Sequence, residues 1–219
     1  MLGLPERTLY NRKIPKNKFY EKLAANSRVK ELFVEQVDSI VWKHKLSRET
    51  TNLEPTEAVQ EIQVFEIQLR QRELNQELLE KIDRAVPYPI LHVLRFGDEA
   101  KLMIAYKERH VTNENRAVVQ AYYQSDWQPL SQFAVPLAHG LTLEAVYENL
   151  VRRLMPKAED AATNLSEAVE RQQTRQRLER ECARLEAKIR SEQQFDKKVS
   201  LNLELRMKQK QLQKQGLDY

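Results

Sequence analysis

Residues 90–108, ILHVLRFGDEAKLMIAYKE, decide the fold class of this chain. Two runs rich in apolar and β-branched residues flank Gly97-Asp98-Glu99, which has the size and chemistry of a hairpin turn. The segment therefore predicts two adjacent antiparallel strands. A polar loop around residues 113–116 leads into residues 117–124, AVVQAYYQ, which is a third candidate strand of the same meander.

One further strand and a helix are predicted upstream of this hairpin. In residues 59–69, VQEIQVFEIQL, Phe65 points to one side and Ile62 to the other, as in a central strand that is covered on both faces. Residues 73–85 place four apolar side chains on one helical face, and Pro87-Tyr88-Pro89 ends that helix. We therefore expect a strand, a helix and then the hairpin.

The first part of the chain is predicted to be mainly helical. The residues before Pro15 form an extended leader. Apolar residues then recur at three- and four-residue steps over residues 27–41, through Val37 and Ile40, which predicts one continuous helix. Residues 46–56 are rich in turn-forming side chains and are predicted to form a connecting loop.

These elements together predict one compact domain over residues 1–156. Its last helix begins after Thr142, a suitable N-cap residue, and ends before Pro156. The predicted fold class is α+β, with a small, mostly antiparallel sheet of about four strands and packed helices.

Residues 157–219 are predicted to form a long, charged, coiled-coil-like helical tail. No glycine or proline lies between residues 157 and 215, and the composition is dominated by charged residues, glutamine and leucine. Four residues follow the alternating four- and three-residue spacing of a coiled-coil seam: Leu178, Cys182, Leu185 and Ile189. A second apolar stripe restarts out of register at Phe195, Val199, Leu203 and Met207, so a stutter and a helical hairpin are both consistent with the pattern. We predict that the four seam residues bind a partner helix.

Composition excludes several classes of protein. With 36 basic and 32 acidic residues, the chain generates little long-range field for an anionic partner. The single Cys182 excludes an internal disulfide and a multi-thiolate zinc site. No apolar stretch is long enough for a membrane span or a signal peptide. We therefore expect a cytoplasmic protein without membrane association.

The common catalytic and cofactor motifs are missing. The four glycines are too far apart to build a phosphate-binding loop, and the four histidines are never paired at metal-ligand spacing. No serine lies in a nucleophile elbow. We expect no cofactor and no metal site, and the sequence favours a protein without enzymatic activity.

One enzymatic alternative rests on Glu66. Alternation places Glu66 on the same strand face as Ile62, and with Gln68 it forms Glu-x-Gln, a variant of the Glu-x-Lys motif with which many nucleases hold Mg²⁺. Glu35 could contribute from the preceding helix. The motif predicts a Mg²⁺-dependent nuclease, whereas a structural ion pair of Glu66 with Arg70 or Arg95 is the non-catalytic interpretation.

A second alternative is direct binding of DNA or RNA. Basic clusters that include Lys16 and Lys18, and again Arg152 and Arg153, are candidates for phosphate contacts. Acidic residues interleave through most of the remaining chain, and no aromatic residues alternate with the basic ones as they do in single-strand binders. Ordinary solvated helix faces are the favoured interpretation of these clusters.

Seven segments carry a resemblance to a known family. They are IPKNKFYEKL, FVEQVDSIVWKHKL, TTNLEP, VFEIQL, IDRAVPYPILHVL, IAYKE and SEQQFDKKVSLNLELR. In this order, and over almost the whole chain, they resemble the bacterial family DUF4391, a domain of unknown function. The resemblance implies an α+β body with a coiled tail, and a genetic setting beside helicases and DNA methyltransferases of restriction or phage-defence systems. It implies no catalytic residues.

We therefore expect a non-catalytic accessory subunit, whose tail pairs with itself or with a helicase-like protein. The Mg²⁺-dependent nuclease and the nucleic-acid-binding module are the alternatives. Partner identity and oligomeric state are left open by the sequence.

Overall fold

The structure, a computed structural model, describes residues 2–22, 27–109, 117–134, 140–156 and 164–217. It divides into two compact units, Met1–Ala158 and Glu159–Tyr219. The first unit combines a β-sheet with helices, and the second is helical. None of the described helices is long and apolar enough to cross a membrane.

The first unit is built on a mixed sheet. In the described residues its strands are β1 (Leu9–Lys13), β2 (Val37–Leu46), β3 (Ile62–Leu69), β4 (Ile90–Phe96), β5 (Glu99–Arg109), β6 (Ala117–Gln124) and β7 (Gln128–Pro129). The order is β1-β2-β3-β4-β5-β6, with β7 paired to β5. Strands β3 and β4 are parallel, and every other described pair is antiparallel.

The predicted sheet of about four mostly antiparallel strands was therefore wrong. The α+β class holds, but the sheet has seven strands and is mixed. The largest error concerns the helix predicted over residues 27–41, because the helix ends at Gln36 and strand β2 begins at Val37. The β-branched residues from Val37 onward favour an extended backbone, although their spacing also fits a helix. Strand β1 was missed because it is short and mostly exposed, and so has no apolar alternation.

The central elements follow the predicted order. Strands β4 and β5 form the predicted hairpin, and Gly97 occupies the turn with φ of 59°, a left-handed conformation that glycine adopts without strain. Strand β3 lies between β2 and β4, as a central strand should. The predicted polar loop around residues 113–116 lies outside the described residues.

The described helices are α1 (Lys16–Lys22), α2 (Ser27–Gln36), α3 (Arg48–Thr51), α4 (Gln76–Ala85), α5 (Leu143–Leu154), α6 (Leu165–Ser191) and α7 (Phe195–Leu217). Helix α4 is capped by Asn75, whose side chain accepts a hydrogen bond from the Glu77 amide, and the helix carries the chain across to the parallel strand β4. Helix α5 starts after Thr142, whose hydroxyl accepts from the Ala145 amide at 3.1 Å. Both caps satisfy amides that would otherwise lack partners.

The main core lies between the sheet and helices α1, α2 and α4. Its largest fully buried members include Phe33 of α2, Phe65 of β3 and Leu79 of α4. Helix α5 packs against β5 and β6. Tyr147 locks it there, because its hydroxyl donates to the Ala105 carbonyl at 2.7 Å and accepts from the Lys107 amide at 2.7 Å.

The second unit is a pair of packed helices, α6 and α7. Glu181 in α6 and Lys208 in α7 form an ion pair of 2.7 Å across a three-residue connection, so the helices run antiparallel. The tail is therefore the helical hairpin, one of the two arrangements that the apolar pattern left open, whereas the predicted coiled coil is not shown among residues 164–217. Helix α6 ends without a glycine or proline. The Glu192 carboxylate accepts hydrogen bonds from the Gln193 and Gln194 amides at 2.9 Å, and these bonds compete locally with those that would continue the helix.

Candidate functional site

Helix α7 has apolar side chains on two opposite sides. Leu201, Leu205 and Leu212 are half-buried and share a side with Lys208. Since Lys208 pairs with Glu181 of α6, this is the side that α7 packs against α6. These leucines therefore stabilise the packing of α7 against α6.

The opposite side of α7 carries a bare apolar stripe. Phe195 is 78% exposed, Val199 43%, Leu203 58% and Met207 62%. Their four-residue spacing places them in one row along the helix. We call these four residues the α7 stripe. Contiguous apolar surface of this kind is characteristic of an interaction site.

Basic residues continue the α7 stripe toward the C-terminus. Arg206, Lys210 and Lys214 are exposed on the same side of the helix. Over its length α7 carries six basic residues (Lys197, Lys198, Arg206, Lys208, Lys210 and Lys214) and two acidic ones (Asp196 and Glu204). A matching surface is therefore apolar along its centre and acidic at its margin. A second copy of the same stripe would bring like charges together.

The predicted partner-binding residues lie on α6. Leu178, Cys182 and Leu185 are buried and Ile189 is half-buried. Lys208 of α7 is close enough to influence Cys182 electrostatically. The helix that packs against α6 in the described second unit is thus α7 of the same chain, while the α7 stripe is exposed.

The thiol of Cys182 is poorly suited to chemistry. Burial, followed by the carboxylates of Glu186 and Glu181, raises its pKa. A raised pKa reduces the fraction of thiolate, which is the reactive form.

The predicted catalytic residues lie on two elements, Glu66 and Gln68 on β3 and Glu35 on α2. Glu66 is paired with Arg95, with 3.6 Å between the carboxylate and guanidinium, and the Gln68 amide donates weakly to the Arg95 carbonyl at 3.4 Å. Glu35 is exposed on α2. Among the described residues, no group of three His, Cys, Asp or Glu side chains could hold a metal ion. The ion pair with Arg95 is thus the arrangement that Glu66 adopts.

The four basic candidates do not form one surface. Lys16 donates to the carbonyls of Phe33 and Val37, and burial lowers its pKa. Its ammonium group therefore interacts with carbonyls at the C-terminal end of α2. Lys18 lines a cavity beside β1, whereas Arg153 lines a different one beside β6. Arg152 is half-buried on α5.

The sequence pattern missed a buried cluster of charged side chains. Asp83 of α4, His92 of β4 and Lys107 of β5 are all buried. Asp83 Oδ2 lies 3.0 Å from His92 Nε2, and Asp83 Oδ1 lies 2.7 Å from Lys107 Nζ. The Tyr122 hydroxyl donates to Asp83 Oδ2 at 2.6 Å. Two sequence features could have revealed this cluster: an acidic residue, Asp83, on the apolar face of a predicted helix, and a lysine, Lys107, within an apolar strand.

The cluster holds its central carboxylate in the charged form. Burial alone raises the pKa of Asp83, but the charges of His92 and Lys107 outweigh burial and lower the pKa to about 2. Lys107 Nζ also donates to the carbonyls of Asp83, Val86 and Tyr88 at 3.1, 3.1 and 2.9 Å. Since the cluster is buried, it fixes the connection between α4 and β4 rather than meeting a substrate.

Comparison with known proteins identifies a family but no characterised relative. No curated protein and no solved structure matches this chain. The model of one family, described as Domain of unknown function (DUF4391), matches residues 2–212. This match covers nearly the whole chain, and the chain therefore belongs to the DUF4391 family.

Proposed function

We propose that this protein is a non-catalytic accessory subunit of a bacterial restriction or phage-defence system, and that the α7 stripe docks it onto a partner protein. The observation that carries the proposal is the exposure of four large apolar side chains in one row on α7. Leaving such a row in water is unfavourable, and covering it is the usual source of binding energy between proteins.

The partner surface is an apolar and acidic helix. Helix-in-groove and helix-on-helix recognition reads apolar anchors spaced three or four residues apart, which is the spacing of the α7 stripe. The excess of basic residues on α7 disfavours a second copy of this chain and favours acidic margins on the partner.

The genetic setting implied by the family resemblance supplies the partner class. A helicase-like protein or a DNA methyltransferase is the proposed partner. The α+β unit acts as the rigid body that the complex positions.

The test is reconstitution with the helicase and the methyltransferase encoded beside this gene. Their affinity for the purified protein is measured by biolayer interferometry, and the assembly is sized by light scattering. Val199→Asp with Leu203→Asp should weaken the complex about 100-fold, because each change removes an anchor and adds a charge that faces acidic margins.

A matched control is available on the same helix. Ser200 and Gln209 are exposed but lie off the α7 stripe, and Ser200→Asp with Gln209→Glu adds the same charge. This control should retain affinity within about threefold. A complex that survives the stripe substitutions, or a stripe that proves only to dimerise this chain, would contradict the proposal.

A further inference from the structure

A cavity of about 380 Å³ opens beside the edge strand of the sheet. It is bounded by β1, the start of α1, the inner parts of β2 and β3, and the connection from α4 to β4. Strand β1 bulges between Leu9 and Arg12, where Asn11 has φ of 48°, and bulges commonly redirect side chains at sites of function. A volume of this size suits a small ligand.

Aromatic rings form the walls of the cavity. Tyr10, Trp42 and Tyr88 line it and are only partly buried. The rings of Tyr10 and Trp42 lie 4.4 Å apart between centroids, and the Arg12 guanidinium lies over the Tyr10 ring, 4.7 Å from its centroid. The Trp42 indole donates to the His44 carbonyl at 2.9 Å, which fixes its orientation. Partly exposed, oriented rings are the surfaces on which planar ligands stack.

The rim of the cavity is entirely cationic. Arg12, Lys13 and Lys18 line it and are exposed, and no lining residue is acidic. In the part of the chain that the structure describes, none of the three forms an ion pair. In a chain with 36 basic and 32 acidic residues, three basic side chains that line one cavity with no acidic lining residue are a local concentration of one charge. Their field favours a phosphate.

One buried amide adds a directional contact. Gln63 lines the cavity and is 4% exposed. Its Nε2 donates to Glu61 Oε1 at 2.6 Å, and Glu61 is paired with Lys45 at 2.9 Å. Because a carboxylate can only accept, these contacts fix the amide with Oε1 as the remaining acceptor. Among the described residues, no side chain or backbone group donates to that oxygen.

We infer that this cavity binds a nucleotide, either free or as part of a single-stranded nucleic acid. The base lies among Tyr10, Trp42 and Tyr88, and the phosphate meets Arg12, Lys13 and Lys18. The free acceptor of Gln63 can take a hydrogen bond from an N–H group of the base, and the larger ring system of a purine such as adenine gives stronger stacking than a pyrimidine. Tyr10, Arg12 and Lys13 come from β1, whereas Lys18, Trp42 and Tyr88 come from three other segments, so no single stretch of sequence marks the whole set.

The binding test uses Trp42 as the probe. The chain has two tryptophans, so Trp127→Phe leaves Trp42 as the only source of tryptophan fluorescence. Oligo-dA, oligo-dT and AMP are titrated at low salt, with tryptophan quenching and the anisotropy of labelled oligonucleotide as readouts. We expect quenching by oligo-dA, tighter binding of oligo-dA than of oligo-dT, and weaker binding as salt rises.

Charge reversal locates the site. Arg12→Glu with Lys18→Glu should weaken binding at least about tenfold, whereas Arg28→Glu with Lys30→Glu, two exposed residues of α2 outside the cavity, should change it by less than about threefold. Gln63→Met should weaken binding of oligo-dA by about threefold or more, because the base loses a hydrogen-bond acceptor. Thermal melting followed by circular dichroism verifies that each variant is folded.

The outcomes separate the ligand sources and the two proposals. Displacement of oligo-dA by AMP identifies a free nucleotide as sufficient, and oligonucleotide binding that AMP does not displace identifies a strand. Absence of binding by both ligands, or equal weakening by the two charge-reversal pairs, overturns the inference. The Val199→Asp and Leu203→Asp variant should bind oligo-dA normally, so this inference does not depend on the partner proposal.

Discussion

Lys107 Nζ lies 2.7 Å from Asp83 Oδ1, and both side chains are buried. The pair joins the crossover helix α4 to strand β5. The same ammonium group donates to the carbonyls of Val86 and Tyr88, two residues that also line the aromatic and cationic cavity. A buried ion pair thus holds one wall of the proposed nucleotide site in place.

The buried pair should behave as a unit in stability measurements. Asp83→Leu leaves Lys107 buried without its counter-charge and should lower the free energy of unfolding by about 3–5 kcal/mol. Adding Lys107→Met should recover at least about 2 kcal/mol of that loss, because the unpaired charge is removed. Urea unfolding of both single variants and the double variant at neutral pH measures the coupling.

An exposed ion pair supplies the control for this cycle. Asp38 and Arg70 are 2.9 Å apart and about half exposed, so Asp38→Leu should cost less than about 1 kcal/mol. Equal losses of unfolding free energy from Asp38→Leu and Asp83→Leu would show that burial does not determine the energy of the Asp83–Lys107 pair.

Removing the Lys107 contacts should also loosen the cavity wall. In the Asp83→Leu and Lys107→Met double variant, three carbonyls lose their donor, so hydrogen exchange of the amides near Val86 and Tyr88 should accelerate more than that of the β4–β5 hairpin. Uniform acceleration across the first unit would instead indicate general destabilisation.

Stability should fall as the pH is lowered below neutrality because of His44. Burial, reinforced by Lys43, lowers its pKa from 6.5 to about 4, and its Nδ1 lies 2.9 Å from the Thr8 hydroxyl. Between these pH values the unfolded chain binds a proton that the folded protein does not, so stability is lost as pH falls through the window. His44→Gln should reduce the difference in free energy of unfolding between pH 7 and pH 4.5, and an unchanged difference would rule out this assignment.

The two apolar rows of the helical hairpin should respond differently to truncation. Leu185 on α6 is 6% exposed and Leu203 on α7 is 58% exposed. Leu185→Ala should therefore cost about 2 kcal/mol or more, and Leu203→Ala less than about 0.5 kcal/mol. Urea titration of helical ellipticity compares the two, and similar losses would mean that the α7 stripe is part of the folded core.

Glu66 offers a direct test of the nuclease alternative. Its pair with Arg95 is long and partly exposed, so Glu66→Gln should destabilise the protein by less than about 1 kcal/mol. We expect that neither the purified protein nor the variant cleaves DNA in the presence of Mg²⁺. Cleavage by the parent protein that disappears in Glu66→Gln would contradict the non-catalytic proposal.

Elements set by local chemistry were predictable from the sequence. The hairpin of β4 and β5 follows from two apolar runs around Gly97, and α5 follows from the Thr142 cap and a regular apolar stripe. Strand β3 is marked by its own alternation. In each case neighbouring residues suffice, because turn geometry, capping and side-chain period act over a few positions.

The tertiary structure decided what depended on distant residues. Spacing could not show that the backbone changes from helix to strand between Gln36 and Val37, because the choice is made by pairing with β3. The spacing also could not show that α7 packs against the side of α6 that carries Leu185. A coiled-coil seam requires an apolar partner helix, but it does not specify which chain supplies that helix. The link between Asp83 and Lys107 spans 24 positions, and only the packing of α4 against the sheet brings these charges together. Local periodicity carries no information about such contacts, because burial and charge pairing are properties of the assembled fold.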